Sequence, residues 1–237
     1  MSQTPSKSSA DPPEIKVPMT LVTRFVRQLS HDLRNHLNAA ELQSAYVNEL
    51  VEGADLKDEM KRLREMLTET GKSLQRLTNS LAPIKLSVMP YEASAFMEDL
   101  RQKVELEFPE ESRAINWSVA AGEANLNIDP QILLPAFLEL FANAFRHGRT
   151  SDPLDAEAGA GEAAFTFTLK EPKASFTEET ENWGGRPLSK VNHGHYGLGL
   201  PRVRSIIEAH GGEFHARYDS ASSVLATKIV LPIAPAE

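Results

Sequence analysis

The chain has 237 residues, 41% of them apolar and 24% charged, a composition that supports one large folded domain or two modest ones and excludes a disordered protein. Its 25 Lys and Arg against 33 Asp and Glu leave a formal charge of −8, and no basic patch suited to neutralising phosphates stands out, which argues against nucleic acid as a partner. Cysteine is absent, so disulfides, thiolate zinc sites and cysteine nucleophiles drop out together; no apolar run approaches the roughly 18 to 20 residues that cross a bilayer, and the polar N-terminus is unlike a signal peptide. These features predict a cytoplasmic protein that does not insert into a membrane.

Residues 1–17 are rich in Ser, Pro and charge, which predicts a disordered tail. From Pro18 the pattern changes. Leu21, Phe25, Leu29, Leu33, Leu37 and Ala40 recur at three- and four-residue steps toward Val47 and Val51, which predicts a long amphipathic helix punctuated by Gly53 and Asp55. Leu56, Met60, Leu63, Leu67, Thr70, Leu74, Leu77 and Leu81 then alternate steps of four and three, the spacing of a coiled-coil seam. Two long helices and a short turn make an antiparallel hairpin whose apolar stripe is left uncovered. Two copies pairing into a four-helix bundle would cover it, so residues 18–86 are expected to form a homodimer.

Pro83 and Pro90 bracket a short connector, and residues 87–237 read as a second domain. Residues 92–107 predict a helix through Phe96, Leu100 and Val104, and residues 114–120 a strand in which Ile115, Trp117 and Val119 alternate with their neighbours. Asp129 reads as an N-cap with Pro130 at the first helical position, opening a helix to about His147. Two strands follow around residues 159–161, the second over residues 163–169. The polar stretch of residues 171–195 has no apolar period and predicts a loop of unusual length. A helix over residues 201–210, closed by Gly211 and Gly212, and a hairpin of residues 213–218 and 224–231 complete the chain. The predicted fold class is α+β: a long antiparallel helical hairpin, then an α/β sandwich with helices on one face of a mixed sheet.

Three groups of residues carry chemistry. His31 lies two positions from Leu29 and from Leu33, about 200 degrees round a helix from each, so it points away from the apolar stripe. Asp32 can accept a hydrogen bond from one ring nitrogen, fixing the tautomer and leaving the other nitrogen as a nucleophile. Asn35, one turn on, shares that face and is placed to orient a water. Taken alone, a His next to an Asp on a helix is more often a solvated surface residue than a functional one. In the helix of residues 130–147, Glu139, Asn143 and His147 are spaced by four residues and project from one face with Arg146 adjacent, above an apolar set of Leu138, Phe141 and Phe145. Gly197 and Gly199, in the run GLGL, precede a helix, where small residues let backbone amides approach a polyphosphate and the helix N-terminus adds partial positive charge.

SHDLRNHL in the first helix of a hairpin resembles the phosphoacceptor box of sensor histidine kinases. FLELFANAFRHG, residues 137–148, resembles the N-box of that family, and HYGLGLPRVRSIIEAHGG, residues 195–212, its second glycine box with the helix that follows. The order matches across residues 20–233. The resemblance implies the transmitter portion of a two-component system: a dimerisation and phosphotransfer hairpin, then an ATP-binding sandwich of the Bergerat, or GHKL, type. It implies a kinase that autophosphorylates His31 from MgATP and passes the phosphoryl group to an Asp of a response-regulator receiver domain. Asp32 and Asn35 would assist at His31, and Asn35 would also orient water for dephosphorylating a receiver. Asn143 would bind Mg²⁺ through its side-chain oxygen, with Glu139 holding a magnesium-bound water or acting on the proton of the acceptor. Arg146 and His147 would meet the nucleotide phosphates, Gly197, Leu198, Gly199 and Leu200 would complete the nucleotide-binding set, and Arg186 or Lys190 of the long loop would stabilise the transferring group.

Two positions depart from the family pattern. Where the family has a DxGxG box whose Asp receives the adenine amino group, this chain has Leu169-Lys170-Glu171-Pro172-Lys173. Glu171 keeps a carboxylate, Pro172 lacks a backbone donor and Lys173 stands in place of a glycine. A second alignment puts Asn182 and Gly184 there. His36 takes a position where the family commonly has Pro. Loss of nucleotide binding at the altered segment would leave the alternative function, a histidine phosphotransferase that relays phosphoryl groups between receivers through His31.

Overall fold

The computed structural model describes residues 19–122, 124–147, 150–176, 180, 183, 185 and 197–234. The expected tail, and Asn182, Gly184, Arg186 and Lys190 of the long loop, lie outside the described residues. The chain divides into two compact units, Met1–Leu81 and Ala82–Glu237.

The first unit is the expected hairpin of two helices, α1 (Met19–Leu50) and α2 (Ala54–Ser80). Arg27 of α1 donates to the carbonyl of Leu81, just past α2, and Thr68 donates to Glu41 at 3.2 Å, so the helices run antiparallel. The face of α1 that meets α2 carries Val22, Val26, Leu37 and Val47, all half-buried, with Ser30 and Ser44 buried between them. Ser44 satisfies its hydroxyl within its own helix, donating to the Glu41 carbonyl at 2.8 Å. Leu21, Phe25, Leu29 and Leu33 form a separate stripe that stays 40–66% exposed. The single apolar face expected from the periodicity is therefore two: one seam against α2 and one stripe without cover inside the chain.

The second unit is a two-layer sandwich. Its main sheet has the order β2 (Ile115–Ala120), β4 (Leu154–Ala160), β5 (Ala164–Pro172), β7 (Val224–Pro232), β6 (Glu213–Asp219); β2 and β4 run parallel and the other neighbours antiparallel. The central strands β4, β5 and β7 alternate. Leu154, Ala156 and Ala158, then Phe165, Phe167 and Leu169, then Leu225, Ile229 and Leu231 are buried. The intervening residues face the other way, where Lys170 pairs with Glu157 at 2.6 Å and Asn116 donates to Asp155 at 2.9 Å. Helices α3 (Ala93–Glu107), α4 (Pro130–Arg146) and α5 (Gly199–Ala209) cover the apolar face with Phe96, Leu100, Phe137, Phe141, Val203 and Ile207. Phe137 meets Phe96 edge-on with centroids 5.2 Å apart and Phe167 of the sheet at 5.0 Å. Each ring buried in this way contributes about 1.5–3 kcal/mol.

Two short strands were not legible in the sequence: β1 (Met89–Glu92) pairs antiparallel with β3 (Asn125–Ile128) as a small second sheet. Each has four residues, too short for alternation to register. Strand β5 also runs to Pro172, past the expected start of the loop. The β4 pairing ends at Lys170, so Pro172 removes no ladder bond on that side. Asp129 caps α4 as expected, accepting from the Gln131 amide at 3.1 Å and from the Ser87 amide at 2.8 Å. Its own amide donates to His210 Nε2 at 3.1 Å, and His210 Nδ1 lies 2.7 Å from the Ile206 carbonyl, so the ring ties the end of α5 to the start of α4. That tie holds together the two helices on which the candidate nucleotide residues sit.

Candidate functional site

His31 projects from α1 with its side chain 69% exposed. Its Nδ1 lies 3.2 Å from Asp32 Oδ1, and Gln28 Nε2 donates to the same oxygen at 2.9 Å. A carboxylate only accepts, so in the neutral ring Nδ1 carries the hydrogen and Nε2 keeps its lone pair toward solvent. An exposed contact of this kind adds little to stability; its effect is to orient the ring. Gln28 was not singled out in the sequence. Its signal is the spacing of four to Asp32, which places the two side chains on adjacent helical turns. Asn35 is exposed on the following turn.

In the sandwich, Asn143 Nδ2 donates to Glu139 Oε1 at 3.2 Å, one turn apart on α4. The amide oxygen of Asn143 thus remains as a donor atom beside a carboxylate. The start of α5 comes directly against Glu139: a Cβ on Gly199 would meet its carboxylate, so the carboxylate keeps this position only beside a glycine. Gly197 adopts φ +60, in the left-handed region, to turn the chain into the helix, Leu198 is buried, and Gly199 and Leu200 are half-buried. Glu139 therefore meets the start of α5 at Gly199, with Asn143 bonded to it one turn on. Arg146 and His147 are exposed at the C-terminal end of α4. No cluster of three or more acidic or histidine side chains occurs among the described residues. An amide oxygen and one carboxylate fit a hard cation that keeps waters and shares phosphate oxygens, which needs no full protein cage.

The end of β5, beside the last turn of α4, is built differently. Glu171 closes β5 in register with Leu225, its side chain 10% exposed, and Lys173 beyond it is 6% exposed. Lys173 Nζ lies 2.8 Å from Glu171 Oε2 and also donates to the backbone carbonyl of His147. Burial pushes the Glu171 carboxyl above the usual carboxylate range, and the Lys173 charge pulls against that rise. The amide and carboxylate expected to hold a metal thus suit a hard cation, whereas the carboxylate expected to face a base amino group is already engaged by an ammonium of the same chain.

The chain resembles the crystal structure of full-length ShkA in complex with AMPPNP, with a TM-score of 0.71 over 90% of this chain and 46% of that one, at 17% identity. The fold is that of a histidine kinase transmitter. Its sandwich is of the GHKL type, as expected. The transmitter fold here spans less than half the length of ShkA. It is also similar to the mycobacterial sensor histidine kinase MprB, with a TM-score of 0.51, 17% identity and coverage of 63% of this chain and 99% of that chain. The catalytic domain of the histidine kinase ThkA matches with a TM-score of 0.52, 14% identity and the same coverage, 63% and 99%. No protein-family model matches the sequence, and no curated protein does. No helix among the described residues is long and apolar enough to cross a membrane.

Proposed function

We propose that this chain is a cytoplasmic histidine kinase that phosphorylates its own His31 from MgATP and passes the phosphoryl group to an aspartate of a response-regulator receiver domain. The observation that carries the reading is the Gln28–Asp32–His31 chain of contacts, which leaves Nε2 unprotonated and open to solvent in the neutral ring. In the reaction an N–P bond forms at Nε2, the bond from the γ-phosphorus to its bridging oxygen breaks, and ADP leaves with that oxygen. On transfer, the N–P bond breaks as an oxygen of the receiver carboxylate bonds to phosphorus. Asn143 and Glu139 would hold Mg²⁺, whose role is to neutralise charge on the phosphoryl oxygens; Arg146, His147 and residues 197–200 would meet the phosphates. The uncovered stripe of Leu21, Phe25, Leu29 and Leu33 supports a homodimer through residues 18–86.

Incubation with γ-labelled ATP tests the reading. The expected product carries an alkali-stable, acid-labile label that is absent from His31→Gln; label that survives that substitution overturns it. A second reading is favoured by the Glu171–Lys173 pair: a phosphotransferase that relays phosphoryl groups between receivers through His31 without using ATP. Calorimetric titration with MgATP separates the two, because saturable binding in the micromolar to low millimolar range excludes the relay-only form.

A further inference from the structure

Among the described residues, Lys173 is the buried lysine. A lysine beside a surface normally lays its stem along apolar groups and keeps its ammonium in water, because removing that charge from water is unfavourable by several kcal/mol unless it is paired. Here both ends are held inside. The Lys173 amide donates to the Ser223 carbonyl at 2.9 Å, which pins the residue to the sheet. Its ammonium reaches the Glu171 carboxylate at 2.8 Å and the His147 carbonyl at the end of α4. A carboxylate facing the last carbonyls of a helix is a site for a cation or a donor group, since those carbonyls have no partner within the helix and sit at the negative end of its dipole. The chain fills that site with its own side chain, at the position where the histidine kinase resemblance would have a glycine and therefore open space.

We propose that Lys173 is an internal occupant of the base end of the nucleotide pocket, which a nucleotide must displace before its base reaches Glu171. The proposal rests on the reading that Glu171 faces the base. To be displaced, the ammonium must give up two acceptors at once, so the base adds little to affinity and binding is carried by the phosphate end, through Glu139, Asn143 and residues 197–200. Removing the amine frees Glu171 as an acceptor and opens the volume of the lysine side chain.

The test is calorimetric titration of the full chain, with Mg²⁺, against ATP and against inorganic tripolyphosphate, which offers the phosphates without a base. The wild-type chain is expected to show no preference for ATP, whereas Lys173→Ala gains about tenfold for ATP and nothing for tripolyphosphate, the effect of one hydrogen bond to a charged acceptor. Lys173→Arg, which keeps the cation, stays like the wild type. A tenfold wild-type preference for ATP, or no gain on removing Lys173, overturns the proposal. If Lys173→Ala does not fold, Glu171→Gln/Lys173→Met reports whether the domain tolerates loss of the pair, and the wild-type comparison of the two ligands decides. Failure of the underlying phosphotransfer reading looks different. A Lys173→Ala chain that gains ATP affinity yet never labels His31 removes the kinase and keeps Lys173 as occupant; ordinary labelling with unchanged binding does the reverse.

Discussion

The hairpin and the sandwich are held together by different means. In the sandwich, Phe96, Phe137, Phe141, Phe165 and Phe167 are all fully buried within one chain, and the alternation of every central strand is spent against helices of the same unit. In the hairpin the buried side chains among the described residues are two serines, while Phe25 and Leu29 stand 66% and 45% exposed. Two helices can bury only one seam between them, and a second apolar stripe has no further element to meet. The sandwich therefore carries its stability in its own sequence, whereas the hairpin keeps an apolar stripe that its own two helices leave uncovered, the stripe the proposed homodimer would bury.

The largest expected effect tests that burial. Phe25→Asp with Leu29→Asp should convert a dimer into a monomer, halving the mass seen by sedimentation equilibrium; a hairpin sufficient by itself would tolerate both exposed changes within about 0.5 kcal/mol each and keep its mass. Phe137→Ala works on the other side of the comparison. It removes a ring that touches both Phe96 and Phe167 and should lower the denaturant stability of the sandwich by about 3–5 kcal/mol with the dimer intact.

Lys173→Met comes next, at about 3 kcal/mol, because it strands a buried carboxylate. Its pH dependence has a definite sign. Burial already raises the Glu171 carboxyl, so the stability contributed by its proton is present below the ordinary carboxylate range and lost as pH rises through the raised value. Losing the opposing Lys173 charge moves that value higher still, and thermal melts should show a larger deficit at neutrality than in mildly acidic buffer. The smallest effect is Tyr91→Phe, about 0.5–1 kcal/mol from the hydrogen bond to Asp99. That bond holds the phenol above its ordinary range, so the wild-type advantage should persist to neutral pH and fade as alkali takes the phenol through its raised value.

Much of the fold was legible from pattern. The run from Leu56 to Leu81 is too regular for anything but a long helix, and Asp129 with Pro130 marked the start of α4 to the residue. The small sheet of β1 and β3 was not, since four residues such as Asn125–Ile128 carry too few alternations to separate a strand from a loop. Of the candidate site, Glu139 and Asn143 followed from their spacing of four. The meeting of Glu139 with Gly199, sixty residues of sequence and two strands away, required the sheet order to bring α5 beside α4. Gln28 lies four residues before Asp32, but glutamine on a helix face is too common for that spacing to mark a site by itself.

By itself, the sequence determined the longer elements, the apolar periods and the residue types able to hold phosphate or a hard cation, because those depend on neighbours three or four positions away. Which apolar stripe of α1 meets α2, and which remains open, depended on how the two helices rotate against each other. The role of Lys173 likewise came only from tertiary structure. In sequence it is a lysine in place of a glycine beside a glutamate; in the fold, β5 ends beside the last turn of α4, and the nearest acceptors for its ammonium are a buried carboxylate and a helix carbonyl.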